Sequence, residues 1–269
     1  MTKFGFIVEG NRVFTAGIKP HLAFARGLIE RGHEACFYVL NKSDELLKEL
    51  NDRFLDSQII QNSKKKSVDM FKDTHPDILF SDDYGNRILK LIELKRALRI
   101  PAVTYSHVFN GALSLFGRET GIPFPEMSKM SLEGWSAFSR EHVMNLRMSD
   151  YLISNSSYTE SMNWLLFGTE SDGVIYPPTD TSLFRYSDQE RKSDSIVIYS
   201  GNEYENAERT DAIIKELLKE GWAINLFGTN LNQIRRKYTR KDRVRFLLGM
   251  NESDLAKLLS KARSTIDDF

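Results

Sequence analysis

Short apolar runs separated by amphipathic stretches of helical length recur along almost the whole chain. The strand candidates are Phe4–Val8, Ala35–Leu40, Ser57–Ile60, Ile78–Phe80, Ala102–Tyr105, Tyr151–Ser154 and Val174–Tyr176. Helical patterns fill the gaps, notably Gly17–Arg31, Ser43–Leu50 and Asn86–Leu98. Such alternation predicts a parallel sheet with crossover helices. Right-handed crossovers put those helices on both faces. The pair Pro177-Pro178 then interrupts the pattern, since it bars helix and fixes an extended exit. Beyond it the pattern restarts, with strands at Ser195–Ser200, Trp222–Phe227 and Val244–Leu248 and helices at Ala207–Glu220 and Glu252–Ala262. We therefore expect two α/β domains, residues 1–180 and 181–269, the second with three clear strands.

The segment Tyr151–Phe184 carries the most local information. Ser156 or Ser157 can cap a helix, and Glu160 follows Ser157 by three positions. Gly168 stands where that helix should stop.

Composition narrows the class. The chain has 269 residues and a formal net charge of zero, so bulk charge does not point to nucleic acid. Its one cysteine, Cys36, sits inside an apolar run and reads as a buried thiol. A single thiol builds neither a disulfide framework nor a cysteine metal cluster. Lys3–Val8 is too short an apolar stretch for a signal peptide before Glu9 and Arg12 intervene. No apolar run approaches the ~20 residues that span a bilayer. The expectation is a cytoplasmic protein, with peripheral membrane contact left open. No carboxylate or histidine spacing suggests a metal site.

Two strand ends stand out for chemistry. After Phe4–Val8 comes Glu9–Gly17, a glycine-containing turn at a helix start, where backbone N–H groups and the helix dipole favour a phosphate. Only Gly10 and Gly17 are present, so a plain strand-to-helix loop fits as well. The run Ile100–His107 ends a strand in a histidine, and open parallel sheets bind ligands at that edge.

These segments carry a family resemblance. Ile153-Ser154-Asn155-Ser156, the run Val174–Asp180 and Phe184 resemble the end of the first domain in the GT-B glycosyltransferases of family 4. Gly17-Ile18, His21-Leu22-Ala23 and Arg31-Gly32-His33-Glu34 are similar to the family's glycine loop and helix, although Ala16-Gly17 stands where a glycine pair is usual. His33 reads as a turn residue. Ile100-Pro101 through His107 resembles the family's "IPxVxxxH". The resemblance implies that His107 lies beside the donor sugar and acceptor, as the catalytic residue. An imidazole there can donate a hydrogen bond to a hydroxyl or, protonated, stabilise developing negative charge.

In the second domain, Gly201 matches a family Gly-Arg, but Asn202 replaces the arginine and no lysine follows. Arg209 can substitute as a phosphate ligand or be a solvated helix arginine. Ala223–Gly228 and Val244–Gly249 resemble two further family strands, which puts Gly228 and Leu248 at the nucleotide. The family continues past the position of Phe269 with a Glu-x7-Glu segment and a helix returning to the first domain.

The resemblance thus implies a GT-B-like α/β fold: two Rossmann-like parallel-sheet domains facing a cleft, the second incomplete. It implies retaining transfer of a sugar from a UDP- or GDP-sugar, as donor substrate rather than bound cofactor, with no metal. The acceptor, whether glycan, lipid or protein, is open, and no nucleic-acid partner is expected. Val244–Leu248 is a candidate unpaired edge, so self-association through the second domain is expected. A non-catalytic nucleotide-sugar or glycan-binding module is the alternative, favoured by Asn202 and the missing Glu-x7-Glu segment. A GT-B epimerase is a third reading, and it needs more acid/base groups than the sequence places. The basic run Arg235–Arg245 and the aromatic-bearing stretch Leu113–Met148 read as solvated helix and packing surface, respectively.

Overall fold

A computed structural model describes residues 1–9, 18–40, 44–54, 58–61, 74–83, 86–107, 140, 142–184, 194–200, 207–228, 232–238, 242–247, 250, 252–262 and 264–268. Contacts divide the chain into two compact units at Pro178–Thr179.

The first unit holds a seven-stranded sheet: β1 (Lys3–Val8), β2 (Glu34–Val39), β3 (Gln58–Gln61), β4 (Ile78–Asp82), β5 (Ala102–Ser106), β6 (Tyr151–Ser154) and β7 (Gly173–Val174). Its order is β3-β2-β1-β4-β5-β6-β7, and every pairing is parallel. Helices α1 (Lys19–Ile29), α2 (Asp44–Arg53), α3 (Asn86–Leu98) and α4 (Ser157–Phe167) make crossovers. Residues 142–148 are also helical.

The strands read as continuous apolar runs because both sheet faces are covered. Phe6, Val8, Phe37, Val39 and Phe80 pack on one face against Ile18, Leu22 and Ala25 from α1 and its start and Leu46 and Leu50 of α2. Ile7, Cys36, Tyr38 and Leu79 point to the other face and meet Leu91 and Leu94 of α3. Burial pushes the Cys36 thiol pKa up, as expected of a core thiol. Gly5 lets the two layers close up at the centre of this sheet: a Cβ there would sit 3.0 Å from the Tyr38 ring and 3.2 Å from Leu79, so those side chains would have to shift. Gly32, with φ 81°, turns the chain out of α1, and His33 then packs edge-on against Phe4.

The second unit has a four-stranded parallel sheet of β8 (Ser195–Ser200), β9 (Ala223–Phe227), β10 (Val244–Leu247) and β11 (Ser264–Asp268), in the order β10-β9-β8-β11. Helices α5 (Ala207–Lys219), α6 (Asn232–Tyr238) and α7 (Glu252–Lys261) connect them. Ile196, Ile198, Ile224 and Leu226 form its core with Ile214 of α5 and Ile234 and Tyr238 of α6.

Two expectations are corrected. The sheet has four strands rather than three. The apolar pattern does not predict β11, whose five residues include two aspartates and one large apolar side chain, Ile266. The strand expected at Val174–Tyr176 is the shorter β7, though Ile175 N–H still donates to Ser154 O at 2.9 Å. Prolines 177 and 178 have no N–H to carry the ladder on. β10 does stand at the end of its sheet, with β9 as its one neighbour among the described residues. Among the described residues no helix is long and apolar enough to cross a membrane.

Candidate functional site

Each central strand of the first sheet turns polar at its C-terminal end. β4 runs into Ser81, Asp82 and Asp83, β5 into Ser106 and His107, and β6 into Ser154 and Asn155. The register aligns these ends, with Asp82 opposite Tyr105 and Ser106 opposite Ser154. The order β2-β1-β4 also places the topological switch point between β1 and β4, and ligands of open parallel sheets bind beside such a point.

Asp83 is the hub. One of its carboxylate oxygens accepts the His107 backbone N–H at 3.1 Å, and the other accepts Ser106 Oγ–H at 2.7 Å. His142 Nε2 lies 3.9 Å from the same oxygen. Asn163 of α4 donates to Ser106 Oγ at 3.0 Å and to Ser154 Oγ at 3.3 Å, tying β5 to β6. Asp82 pairs with Arg87 of α3 at 2.7 Å, and Arg87 Nη1 donates to Glu9 O at 3.1 Å. One arginine thus joins the ends of β1 and β4, and its charge neutralises a carboxylate that is fully buried.

Burial dominates the titration of this cluster. It pushes the Asp83 carboxyl up to about 6, against the opposing hydrogen bonds from Ser106 and the His107 amide. It lowers His107 to about 4, with help from the Arg87 charge, and His142 to about 4.

The His107 ring is half-buried. It meets Tyr105 edge-to-face at 5.1 Å, and its Nδ1 lies 3.1 Å from Asn155 Nδ2. Nε2 is buried, with no hydrogen-bond partner among the described residues. Held down to about 4, His107 is neutral at physiological pH. Of the two forms considered above, the neutral hydrogen-bonding ring is the one this environment favours.

Of the other predicted site residues, Gly17, Gly201, Asn202 and Leu248 lie outside the described residues, as does most of Leu113–Met148. Arg209 is in the first turn of α5, and Gly228 directly follows β9. They belong to the second unit, whereas His107 belongs to the first. Asp83, His142 and Asn163 are functional candidates that motif reading misses. The available signal for Asp83 is an acidic pair ending an apolar strand. No group of three or more metal-ligating side chains comes together among the described residues.

Solved structures share this architecture. A glycosyltransferase from Rickettsia africae matches with a TM-score of 0.66 at 12% identity, over 98% of this chain and 72% of its own. A UDP-GlcNAc 2-epimerase from Neisseria meningitidis, solved bound to UDP-GlcNAc, gives 0.62 at 13%, over 99% and 77%. MurG from Acinetobacter baumannii gives 0.55 at 14%, over 99% and 73%. These likenesses establish a GT-B-like fold, one shared by glycosyltransferases and UDP-sugar epimerases. No family model matches the chain, and no curated protein matches it.

Proposed function

We propose that this chain is a glycosyltransferase that moves a sugar from a UDP- or GDP-sugar to an acceptor with retention. The observation that carries this reading is His107: a histidine at the C-terminal edge of a parallel sheet, its ring beside Tyr105 and Asn155 and its Nε2 without a hydrogen-bond partner among the described residues. His107 donates to a sugar hydroxyl next to the bond that breaks. Gly17 and the start of α1 face the donor phosphates. Gly201, Asn202, Arg209, Gly228 and Leu248 serve the nucleotide and diphosphate from the second unit. No metal is required, as the family resemblance implies, and the setting is cytoplasmic.

One observation favours a second reading, acid/base chemistry on the nucleotide sugar itself, as in an epimerase. The sequence places too few proton-transfer groups for it, but the structure gathers Asp83, His107 and His142 at one sheet edge. A carboxyl that titrates near neutrality suits proton transfer.

The test is to incubate the chain with a panel of UDP- and GDP-sugars and analyse the products. A new glycoside or a freed sugar supports transfer, and a donor with an inverted ring carbon supports the second reading. No turnover with any donor leaves a binding module. We expect His107→Ala to stay folded and to lose ~10²-fold or more of the turnover, the scale of one oriented catalytic group. Wild-type turnover in that variant removes His107 from the mechanism.

A further inference from the structure

We propose that Asn155 is a positioning residue: it holds His107 in the tautomer that carries its proton on Nε2, so that the ring presents a neutral N–H donor. The inference rests on the reading of His107 as a site residue, and it adds the group that decides which way the ring works.

The argument starts at the cap of α4. Ser156 is the N-cap, and its Oγ accepts the Thr159 N–H at 3.1 Å. Thr159, buried in the first turn, donates its hydroxyl to Asn155 Oδ1 at 2.5 Å, and Ser156 Oγ donates to the same oxygen at 3.2 Å. A side-chain amide has one acceptor oxygen and one NH2 group that only donates. The oxygen is turned to these two hydroxyls, which lie 3.0 Å from each other, and the NH2 group faces His107 Nδ1 at 3.1 Å. A donor opposite Nδ1 requires a bare Nδ1, so the ring proton is on Nε2.

The other groups facing the ring agree with a neutral state. Tyr105 contributes a ring edge contact, and Asp83 spends its oxygens on the His107 amide and on Ser106 rather than on the imidazole. Arg87 adds a positive charge that disfavours an imidazolium, and His142 lies beyond Asp83. Nε2–H is then a buried donor with no partner among the described residues. It can be met by a hydroxyl or phosphate oxygen and cannot serve as a base without first losing that proton.

The test reads the ring directly. In the full chain labelled with nitrogen-15 at histidine, the His107 imidazole is assigned among five histidines by its loss in His107→Gln. We expect one bare nitrogen, Nδ1, one protonated nitrogen, Nε2, and no titration between about pH 5 and 8. Asn155→Asp replaces a donor by an acceptor, so a proton is recruited to Nδ1 and the titration rises by about one pH unit or more. Thr159→Val, which removes the shorter of the two hydroxyl contacts to the amide oxygen and leaves Asn155 in place, is expected to mix the tautomers. With nucleotide sugars, Asn155→Asp should lower kcat roughly tenfold or more with little change in KM.

A wild-type ring protonated on Nδ1 overturns the inference, as does an Asn155→Asp variant whose ring signals and titration match wild type. If the tautomer is as stated and no nucleotide sugar is turned over, the functional reading fails and this one stands. Turnover by an Nδ1–H ring does the reverse.

Discussion

At the scale of single residues, Asp83 holds, between about pH 4 and 6, a proton that an ordinary aspartate would have lost, while two histidines beside it stay neutral in that window. The signs of these effects oppose each other. Asp83 titrates near 3.8 when unfolded and about 6 when folded, so its contribution to stability is full below 3.8 and is lost as the pH rises through 6. His107 and His142 take up protons near 6.5 when unfolded but only at about 4 when folded. Their contribution is present above 6.5 and is lost as the pH falls toward 4. Between about pH 4 and 6 unfolding therefore releases one proton from this cluster and takes up two. The three groups together make stability rise by roughly 1.4 kcal/mol per pH unit there. Asp83→Asn removes the opposing member. The variant should be less stable, since an amide has one acceptor for two donors, yet its stability should climb about twice as steeply with pH. Urea midpoints measured across that window check this, and equal slopes in the two proteins would sink it.

At the scale of elements, α4 shows how far the sequence is legible. Of the two serines offered as caps, Ser156 is the one used, and Gly168 ends the helix in the left-handed region with φ 58°. Space does not explain Gly168, since an added Cβ would meet its nearest atom at 3.7 Å, so the backbone conformation does. We expect Gly168→Ala to cost about 1 kcal/mol and Ser156→Ala about 1 kcal/mol in chemical denaturation. A neutral result at Gly168 would mean that the chain relaxes out of that turn. Caps and buried strands are legible because their signals are local. β11 is not, because it joins β8 with few apolar side chains of its own. Of the polar residues gathered at this sheet edge, the sequence singles out His107 alone as a candidate. Asp83 is 24 residues from His107, and Asn155 is 48 from it. They meet only because β4, β5 and β6 are neighbours, and an alternating pattern predicts strands without predicting their order.

At the scale of the whole molecule, the two sheets repeat one plan. In each, the third, second, first and fourth strands lie side by side in that order. Each unit also has its own apolar core, built on Phe6, Phe37 and Leu79 in the first and on Ile198, Ile224 and Leu226 in the second. A fragment ending at Pro178 should therefore fold alone, with one cooperative transition and the same non-titrating His107 signal as the full chain. The proposed ligand separates the units further. Five of the residues assigned to the donor, Gly201, Asn202, Arg209, Gly228 and Leu248, belong to the second unit, and only Gly17 and His107 belong to the first. A nucleoside diphosphate that binds the native state alone stabilises it by mass action, about 2.7 kcal/mol at a hundredfold excess over Kd. UDP or GDP at millimolar concentration should therefore raise the melting temperature of the full chain and leave the fragment nearly unmoved. A full shift in the fragment would relocate the nucleotide to the first unit. No shift in either would remove the nucleotide site altogether, and with it the donor half of the proposed reaction.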